Sequence, residues 1–340
     1  MKAAVLEKFD APLVVREVEI PSIGPEEALI RVRACGVCGT DLKIASGKLP
    51  GTPLPHIPGH EIAGEISAVG DQVTGLQAGD RVTLHLYVPC RRCPYCRRGM
   101  ESLCENLQGH VGFTMNGGLA EYVKVRASNV FPIGESMPYP EAAILTDAVA
   151  TPYSALRKRA KLRKGQKLAV VGTGGLGLHA IQIAKSIGAK VVAVDIDAHH
   201  LEKAGECGAD LLLNPQKEDV PEKIRKFTRR GADVIADFVG QPETLEKDLE
   251  WLAPGGKLLL VGYSPVRPLF SVSSINMVLG AKEILGCRAS TLKDLAEVIT
   301  WVQDKKIKPV VEDRFPLEEV NQVYERLREG KVTGRIVVEP

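Results

Sequence analysis

Cys38 and His60 are the residues in this chain best suited to chemistry. A thiolate and an imidazole are donors that a borderline-soft ion such as Zn²⁺ takes, and three protein donors with a fourth position open is the arrangement of a catalytic zinc. Cys38 lies in Gly36-Val37-Cys38-Gly39-Thr40-Asp41, and His60 lies in Pro58-Gly59-His60-Glu61. An ion held there lowers the pKa of bound water from about 16 to near 7. If an alcohol responds alike, the roughly 9-unit shift is worth about 12 kcal/mol at ~1.36 kcal/mol per unit. The alcohol is then ionisable at neutral pH and able to expel a hydride. Alone, His60 is equally a satisfied core histidine; its place beside the cysteine motif favours the metal. Cys35 completes a C-x2-C with Cys38, but a three-donor site needs only one of them, and Cys35 is expected to pack as a small hydrophobe.

Cys90, Cys93, Cys96 and Cys104 follow C-x2-C-x2-C-x7-C. Each short step brings two sulfurs to one ion, and four thiolates make a closed tetrahedral shell. Such a site stabilises a loop and leaves no position for chemistry. Arg91, Arg92, Arg97 and Arg98 lie among the ligands and are expected to offset the negative charge of a tetrathiolate centre. Disulfides are the alternative, disfavoured in a reducing compartment.

The third constellation is Gly172-Thr173-Gly174-Gly175-Leu176-Gly177. It follows the apolar run Lys167–Val171 and precedes a helical pattern, and Asp195 closes the next strand 18 residues beyond Gly177. A lone glycine fingerprint is weak, but strand, turn, helix and acidic residue in this order mark a dinucleotide site. Gly172 permits the tight turn, Gly174 lets the pyrophosphate approach, and Gly177 allows close helix–strand packing. The helix N-terminus, opened by Gly175 and Leu176, offers free N–H groups to phosphate. Asp195 is expected to accept hydrogen bonds from the adenosine ribose. A 2′-phosphate there would meet Asp195 and Asp197 with no nearby Arg or Lys, so NAD is expected over NADP.

The elements that carry these residues change in character along the chain. Short alternating runs (Ala3–Val5, Leu13–Val15, Ala28–Val32, Ile62–Val69, Arg81–Leu86) separated by Gly and Pro predict an irregular, mostly β domain. A helical pattern begins near residue 139. Beyond it, Lys167–Val171, Lys190–Val194, Leu211–Leu213, Val234–Asp237, Lys257–Val261 and Glu283–Leu285 are continuous apolar runs alternating with helices, which predicts a parallel sheet covered on both faces. The tail has helical patterns at Asp294–Gln303 and Leu317–Arg328 and a last strand at Gly334–Val338. The expected class is α/β, with a doubly wound Rossmann domain over residues 149–287 and the β domain over 1–148 and 288–340.

The 340 residues are too many for one ordinary core. A formal net charge of +2 gives no reason to expect nucleic acid or a membrane surface as partner. No apolar run spans a bilayer, and the start lacks a signal-peptide pattern; a cytoplasmic location is expected.

In combination and order, these motifs and the terminal Gly330-Lys331-Val332-Thr333-Gly334-Arg335 resemble the zinc-dependent, medium-chain alcohol dehydrogenase family over essentially the whole chain. The resemblance implies a GroES-like catalytic domain and two zinc ions per subunit. Cys38 and His60 become ligands of the catalytic zinc, and Glu61 a neighbour able to occupy its open position. It implies a third ligand at Asp147, in Thr146-Asp147-Ala148-Val149-Ala150-Thr151-Pro152-Tyr153, a form similar to a bacterial branch acting on secondary alcohols and ketones. By analogy Thr40 passes the alcohol proton toward the cofactor ribose, its alternative being a local backbone cap. Asp41 orients His60. Thr151 touches the nicotinamide, and Arg335 reaches the pyrophosphate. The family often has His where this chain has Lys43, which leaves the outer end of the proton relay open. His85 is either a substrate-pocket residue or an exposed one without function, and His200 either lies near the adenosine or is solvated.

What the resemblance implies is an NAD-dependent oxidation of an alcohol to a ketone or aldehyde, and the reverse, on a small-molecule alcohol or ketone, by a homo-oligomer (dimer or tetramer). Polyol, threonine-type and cyclic hydroxy-acid substrates remain alternatives within the family, and a zinc- and nucleotide-binding protein without turnover remains one outside it.

Overall fold

The strand Glu27–Val37 runs through the centre of a seven-stranded sheet in the computed structural model, which describes residues 1–340. The chain divides into two units: Met1–Ala148 with Thr291–Gln303 and Pro309–Pro340, and Val149–Ser290 with Asp304–Lys308.

In the first unit the sheet order is Val311–Pro316, Arg335–Glu339, Glu27–Val37, Glu61–Val69, Arg81–Leu84 and Val130–Pro132, with Tyr122–Arg126 also pairing Glu27–Val37. Alternation along these strands buries Ile30, Val32, Ile62, Ile66, Val82, Leu84, Val123 and Ile336 in one core; each such side chain contributes roughly 1.5–3 kcal/mol. Glu27–Val37 extends beyond the expected end at Val32. Its last residues set the site: Gly36 pairs with Glu61, and Val37 pairs with Ile336, the residue after Arg335. Gly36 has to be glycine, since a Cβ there would lie 2.1 Å from Glu61 Oε2. The expected strand Arg81–Leu86 divides into Arg81–Leu84 and Tyr87–Val88.

The second unit is a six-stranded parallel sheet, ordered Leu211–Leu213, Lys190–Val194, Lys167–Val171, Ala232–Asp237, Leu252–Leu260, Glu283–Gly286. The first of these strands in the sequence, Lys167–Val171, lies between Lys190–Val194 and Ala232–Asp237. The chain therefore reverses its direction of travel there, which makes it the switch point where an open α/β sheet binds ligand. Helix Gly175–Ile187 begins three residues earlier than the apolar periodicity alone indicates, directly at the glycine turn. The class is α/β, a GroES-like β unit and a doubly wound unit, as the sequence predicts.

The helical pattern from residue 139 is not one helix. Tyr139–Ala143 is α-helical, Leu145–Val149 and Ser154–Arg159 are π-turns, and Ala150–Tyr153 is α-helical again. π-Bulges widen a helix by one residue and recur at functional sites; this one carries Asp147.

Candidate metal centres and dinucleotide turn

Cys38 is at once a donor and a helix cap. It is the N-cap of helix Gly39–Ala45, where the Thr40 N–H donates to Cys38 Sγ at 3.3 Å and the Cys38 N–H donates to Asp41 Oδ2 at 2.9 Å. This reciprocal box fixes the direction of the Cys38 side chain. His60 directly precedes the strand Glu61–Val69 and points its Nε2 to within 3.4 Å of Cys38 Sγ. Asp147, on the π-turn, brings Oδ2 to 3.8 Å from His60 Nε2. Cys38, His60 and Asp147 thus present sulfur, nitrogen and oxygen donors all within 4.8 Å of one another. Ideal tetrahedral Zn–S and Zn–N bonds put sulfur and nitrogen about 3.6 Å apart, close to the spacing seen.

The charges ask for a cation. Asp41 and Glu61 are fully buried and Asp147 is largely so, yet the one guanidinium among them is Arg335. Three buried carboxyls crowd around one guanidinium, and gathering acids in the interior is costly unless further positive charge joins them. The His60 imidazole reports the same field. Burial pushes its pKa down, but Asp41, Cys38 and Asp147 outweigh that and carry it well above the ordinary histidine value. A divalent ion fits this donor set. Asp41 Oδ1 lies 3.4 Å from His60 Nδ1, a long contact on the side of the ring away from the other donors, where an orienting carboxylate belongs.

Arg335 sits at this centre, 95 % buried. Its Nε donates to Glu61 Oε1 and Oε2 at 3.0 and 3.2 Å, and Nη2 donates to Asp147 Oδ2 at 3.2 Å. Glu61 also accepts the Ala148 N–H at 3.1 Å. Burial pushes the Glu61 carboxyl up and Arg335 pulls it back, to a pKa of about 7. The sequence reading missed this ion-pair set, because nothing local in the sequence couples positions 61, 147 and 335. Rings continue outward from His60: Phe113 at 5.0 Å, His110 stacked on Phe113 at 3.5 Å, Tyr87 stacked on His110 at 4.4 Å.

His85 is fully buried, its Nδ1 facing the Tyr87 N–H at 3.3 Å, so the exposed alternative is excluded. Lys43 ends helix Gly39–Ala45, and burial lowers its pKa. Cys35 packs against Gly59, where a Cβ would come within 2.6 Å of its sulfur. Burial pushes its thiol pKa well up.

The second metal-type cluster lies in the same unit. The sulfurs of Cys90, Cys93, Cys96 and Cys104 all fall within 4.8 Å, with Cys93–Cys96 at 3.5 Å and Cys90–Cys96 and Cys93–Cys104 at 4.0 Å. These spacings match the ~3.8 Å of thiolates on one tetrahedral zinc. The Cys96 N–H donates to Cys93 Sγ and the Cys90 N–H to Cys104 Sγ, and such backbone donors, led by Cys96, lower the Cys93 thiol to a pKa of about 6. Arg91 and Arg98 do not point at the sulfurs as expected. Arg91 donates to the Ser128 carbonyl, and Arg98 donates to the Pro94 carbonyl and stacks over Tyr95.

In the second unit Gly172 has φ +84°, and a Cβ on it would meet Val239 at 2.7 Å. A Cβ on Gly177 would lie 2.0 Å from the Gly172 carbonyl oxygen, whereas one on Gly174 would meet nothing. The open side at Gly174 is where a phosphate can reach the N–H groups at Gly175 and Leu176. The Asp195 carboxylate accepts from Thr173 N–H (2.7 Å), Thr173 Oγ1 (3.0 Å) and Asp197 N–H (3.0 Å), with His200 Nδ1 at 3.4 Å. Burial works to raise its pKa, and these hydrogen bonds, His200 first, bring it below the ordinary value. His200 is thereby placed on the Asp195 carboxylate. Thr151 is buried in the short helix Ala150–Tyr153.

No helix is long and apolar enough to cross a membrane. Residues 24–135 match the family described as alcohol dehydrogenase GroES-like domain, and residues 175–304 match zinc-binding dehydrogenase. Over 340 residues the chain is 40 % identical to an alcohol dehydrogenase of Geobacillus stearothermophilus, covering 99 % of each. It is similar to the crystal structure of an NAD-dependent alcohol dehydrogenase, with a TM-score of 0.94 at 29 % identity and all of both chains covered. It is also similar to the alcohol dehydrogenase of the hyperthermophilic archaeon Aeropyrum pernix, with a TM-score of 0.93 at 33 % identity over all of both chains. With those donor clusters and that glycine turn, the chain belongs to the GroES-like, zinc-binding alcohol dehydrogenase family and is an oxidoreductase of alcohols.

Proposed function

We propose that the chain interconverts a secondary alcohol and a ketone, with Cys38, His60 and Asp147 holding a catalytic zinc and Cys90, Cys93, Cys96 and Cys104 a structural one. The observation that carries this reading is the convergence of a thiol, an imidazole and a carboxylate from three distant stretches, with Glu61 engaged by Arg335 instead of completing the set. Zinc bound there supplies Lewis acidity toward the oxygen of the substrate.

The chain's own residues do the rest. Asp41 fixes the His60 ring, and Arg335 spreads its charge over Glu61 and Asp147. Thr40 is held at the helix start by its N–H on Cys38, and its Oγ1 accepts the substrate's hydroxyl proton as it gives up its own. Lys43 lies three residues on, a spacing that shares one helix face, and in the neutral form that burial favours its amine can take that proton. Gly172, Gly174, Gly175, Leu176 and Gly177 receive the pyrophosphate, Asp195 the adenosine ribose, and Thr151 the nicotinamide. The aromatic wall of Phe113, His110 and Tyr87 beside His60 suits alkyl or aryl groups, whereas a polyol needs hydrogen-bonding groups to receive its hydroxyls.

Oligomerisation and location belong to the same proposal. Leu269 and Leu279 are 84 % and 80 % exposed, and Val266, Ile275 and Val278 are also exposed. An apolar patch of this kind next to the edge strand Glu283–Gly286 supports a homodimer or tetramer. Eight free cysteines support the cytoplasm.

The test is turnover with NAD⁺ and NADP⁺ across primary, secondary, aryl, polyol and threonine-type alcohols, with zinc counted per subunit. The expected result is two zincs, NAD⁺ preference and fastest turnover on secondary alcohols. Asp147→Ala is expected to lose one zinc and the activity. Preference for a polyol would overturn the substrate class, and full activity in Asp147→Ala would remove Asp147 from the ligand set.

A further inference from the structure

Asp237 ends the strand Ala232–Asp237 and ties together three turns at the carboxyl edge of the parallel sheet. Its Oδ1 accepts the N–H groups of Val239 (2.9 Å) and Gly240 (2.5 Å), and its carbonyl accepts those of Val261 (3.0 Å) and Gly262 (2.9 Å). The Phe238 N–H donates to Val171 O at 2.9 Å, and Val239 fills the space that a Cβ on Gly172 would need. The glycine turn, the turn at 238–241 and the turn at 261–262 therefore share one anchor, and the carboxyl edge is where a dinucleotide lies.

Asp248 lies on helix Pro242–Trp251, which packs on strand Ala232–Asp237, and its carboxyl interacts directly with that of Asp237. Both residues are fully buried. Thr244 also faces Asp237, but its hydroxyl donates to the Gln241 carbonyl at 2.8 Å, so as two carboxylates the pair leaves Asp237 Oδ2 and both Asp248 oxygens without a donor.

One cation reaches this helix, Lys282, and its ammonium is taken by the carbonyl of Leu249 and faces Glu250. On Asp248's own helix Glu243, Glu246, Lys247 and Glu250 are exposed, as are Glu222, Lys223, Arg225 and Lys226 on the neighbouring helix Val220–Thr228. On the flanking strands Asp233 is taken by the Lys167 N–H and Arg230, and Lys257 by the Ala160 carbonyl and Glu283. Two bare carboxylates in contact inside a protein do not both ionise.

We propose that Asp248 and Asp237 share a single proton, Asp248 donating to Asp237, and that Asp248 is thereby a positioning residue for the cofactor-edge turns, so that losing the proton weakens NAD binding. The proton moves between two carboxyls and no other bond changes. Burial raises both carboxyls. The Gly240 and Val239 N–H groups partly restrain Asp237, and the charge on Asp237 pushes Asp248 further still, well above the ordinary carboxyl value. The inference rests on the reading that the Gly172–Gly177 turn holds NAD.

The test is the NAD⁺ dissociation constant of the zinc-loaded enzyme by calorimetry from pH 6.5 to 10, for the wild type, Asp248→Asn and Asp248→Leu. An asparagine donates an amide N–H to Asp237 at every pH; a leucine donates nothing. The expected result is an alkaline weakening in the wild type about fivefold larger than in Asp248→Asn, a typical coupling between sites. Asp248→Leu is expected to bind NAD⁺ more weakly than Asp248→Asn at neutral pH, with KM for NAD⁺ affected more than kcat. Superimposable pH curves for wild type and Asp248→Asn would overturn the proposal, whether or not Asp248→Leu folds. Failure of the wild type to bind NAD⁺ at neutral pH would instead overturn the dinucleotide reading itself.

Discussion

Arg335→Met is the sharpest perturbation of the catalytic centre, because it removes one cation from among three buried acids while keeping an apolar stem of similar length. Arg335 makes two hydrogen bonds to Glu61 and one to Asp147, and Glu61 is fully buried. Removing one partner of a buried pair costs about 3–5 kcal/mol where the other stays charged, and because the Glu61 pKa is about 7 even beside Arg335, the comparison is made at alkaline pH. At about 2–4 °C per kcal/mol for a unit of this size, the unfolding midpoint of the first unit is expected to fall by roughly 6–20 °C. The assay is scanning calorimetry of the zinc-loaded enzyme. The control is the double variant Arg335→Met with Glu61→Gln. The amide keeps an acceptor for the Ala148 N–H and removes the stranded charge, so most of the loss is expected to return. A midpoint for Arg335→Met within about 0.5 kcal/mol of wild type, the range of ordinary surface substitutions, would refute this account of the charge balance. So would a double variant less stable than the single one.

Three further outcomes follow from the same geometry. Cys93→Ser is expected to lower thermal stability and release one zinc while leaving NAD⁺ affinity in place; weaker cofactor binding with unchanged stability would contradict a purely structural cluster. Asp195→Ala removes the carboxylate that accepts from Thr173, Asp197 and His200, and the ratio of NADP⁺ to NAD⁺ kcat/KM is expected to rise at least tenfold, about 1.4 kcal/mol. An unchanged ratio would mean the ribose is read elsewhere. For Asp210, burial works upward, but Lys185, the Val191 N–H and Lys190 hold its carboxyl below the ordinary value. A depressed folded pKa stabilises above the unfolded value near 4 and is lost as pH falls below it. The Asp210→Asn variant should therefore differ from wild type at neutral pH and converge with it in acid; a gap that widens in acid would reverse the assignment.

The four-cysteine cluster and the glycine turn stand out in the sequence as candidate sites because chemistry confines such donors and turns to a few residue types at short, fixed spacing, whereas Asp147 is reached only through the resemblance. The parallel sheet was legible because strands buried on both faces read as continuous apolar runs. Elsewhere the signal was weaker. Glu27–Val37 was read short because Arg33, Cys35 and Gly36 break its alternation, although Gly36 is there only to clear Glu61. Val311–Pro316 was not anticipated; it is an edge strand with every second residue exposed, and Glu312, Asp313 and Arg314 hide its pattern. The π-turns from Leu145 to Arg159 carry an apolar periodicity that a regular helix would share. Arg335 was placed on the cofactor phosphates, and its partners at Glu61 and Asp147, 274 and 188 residues away, leave no trace in local sequence. Asp237 reads in the sequence only as the end of an apolar strand, and Asp248 carries no signal because an acidic residue on a helix ordinarily means a solvated face.

The separation of Arg335 from its acids also bears on biosynthesis. The carboxylates of Asp41, Glu61 and Asp147 leave the ribosome long before the guanidinium that balances them, with the whole nucleotide-binding unit translated in between. At about 5–20 residues per second, the 188 residues from Asp147 to Arg335 take roughly 10–40 s. Through that interval the nascent β unit lacks the guanidinium beside its buried acids and the strands Val311–Pro316 and Arg335–Glu339, so its sheet is left with an open edge at Cys35–Val37, the rest of that strand being paired by Tyr122–Arg126. Early capture of a divalent ion would relieve the first deficit, while the second persists until the last strand is made.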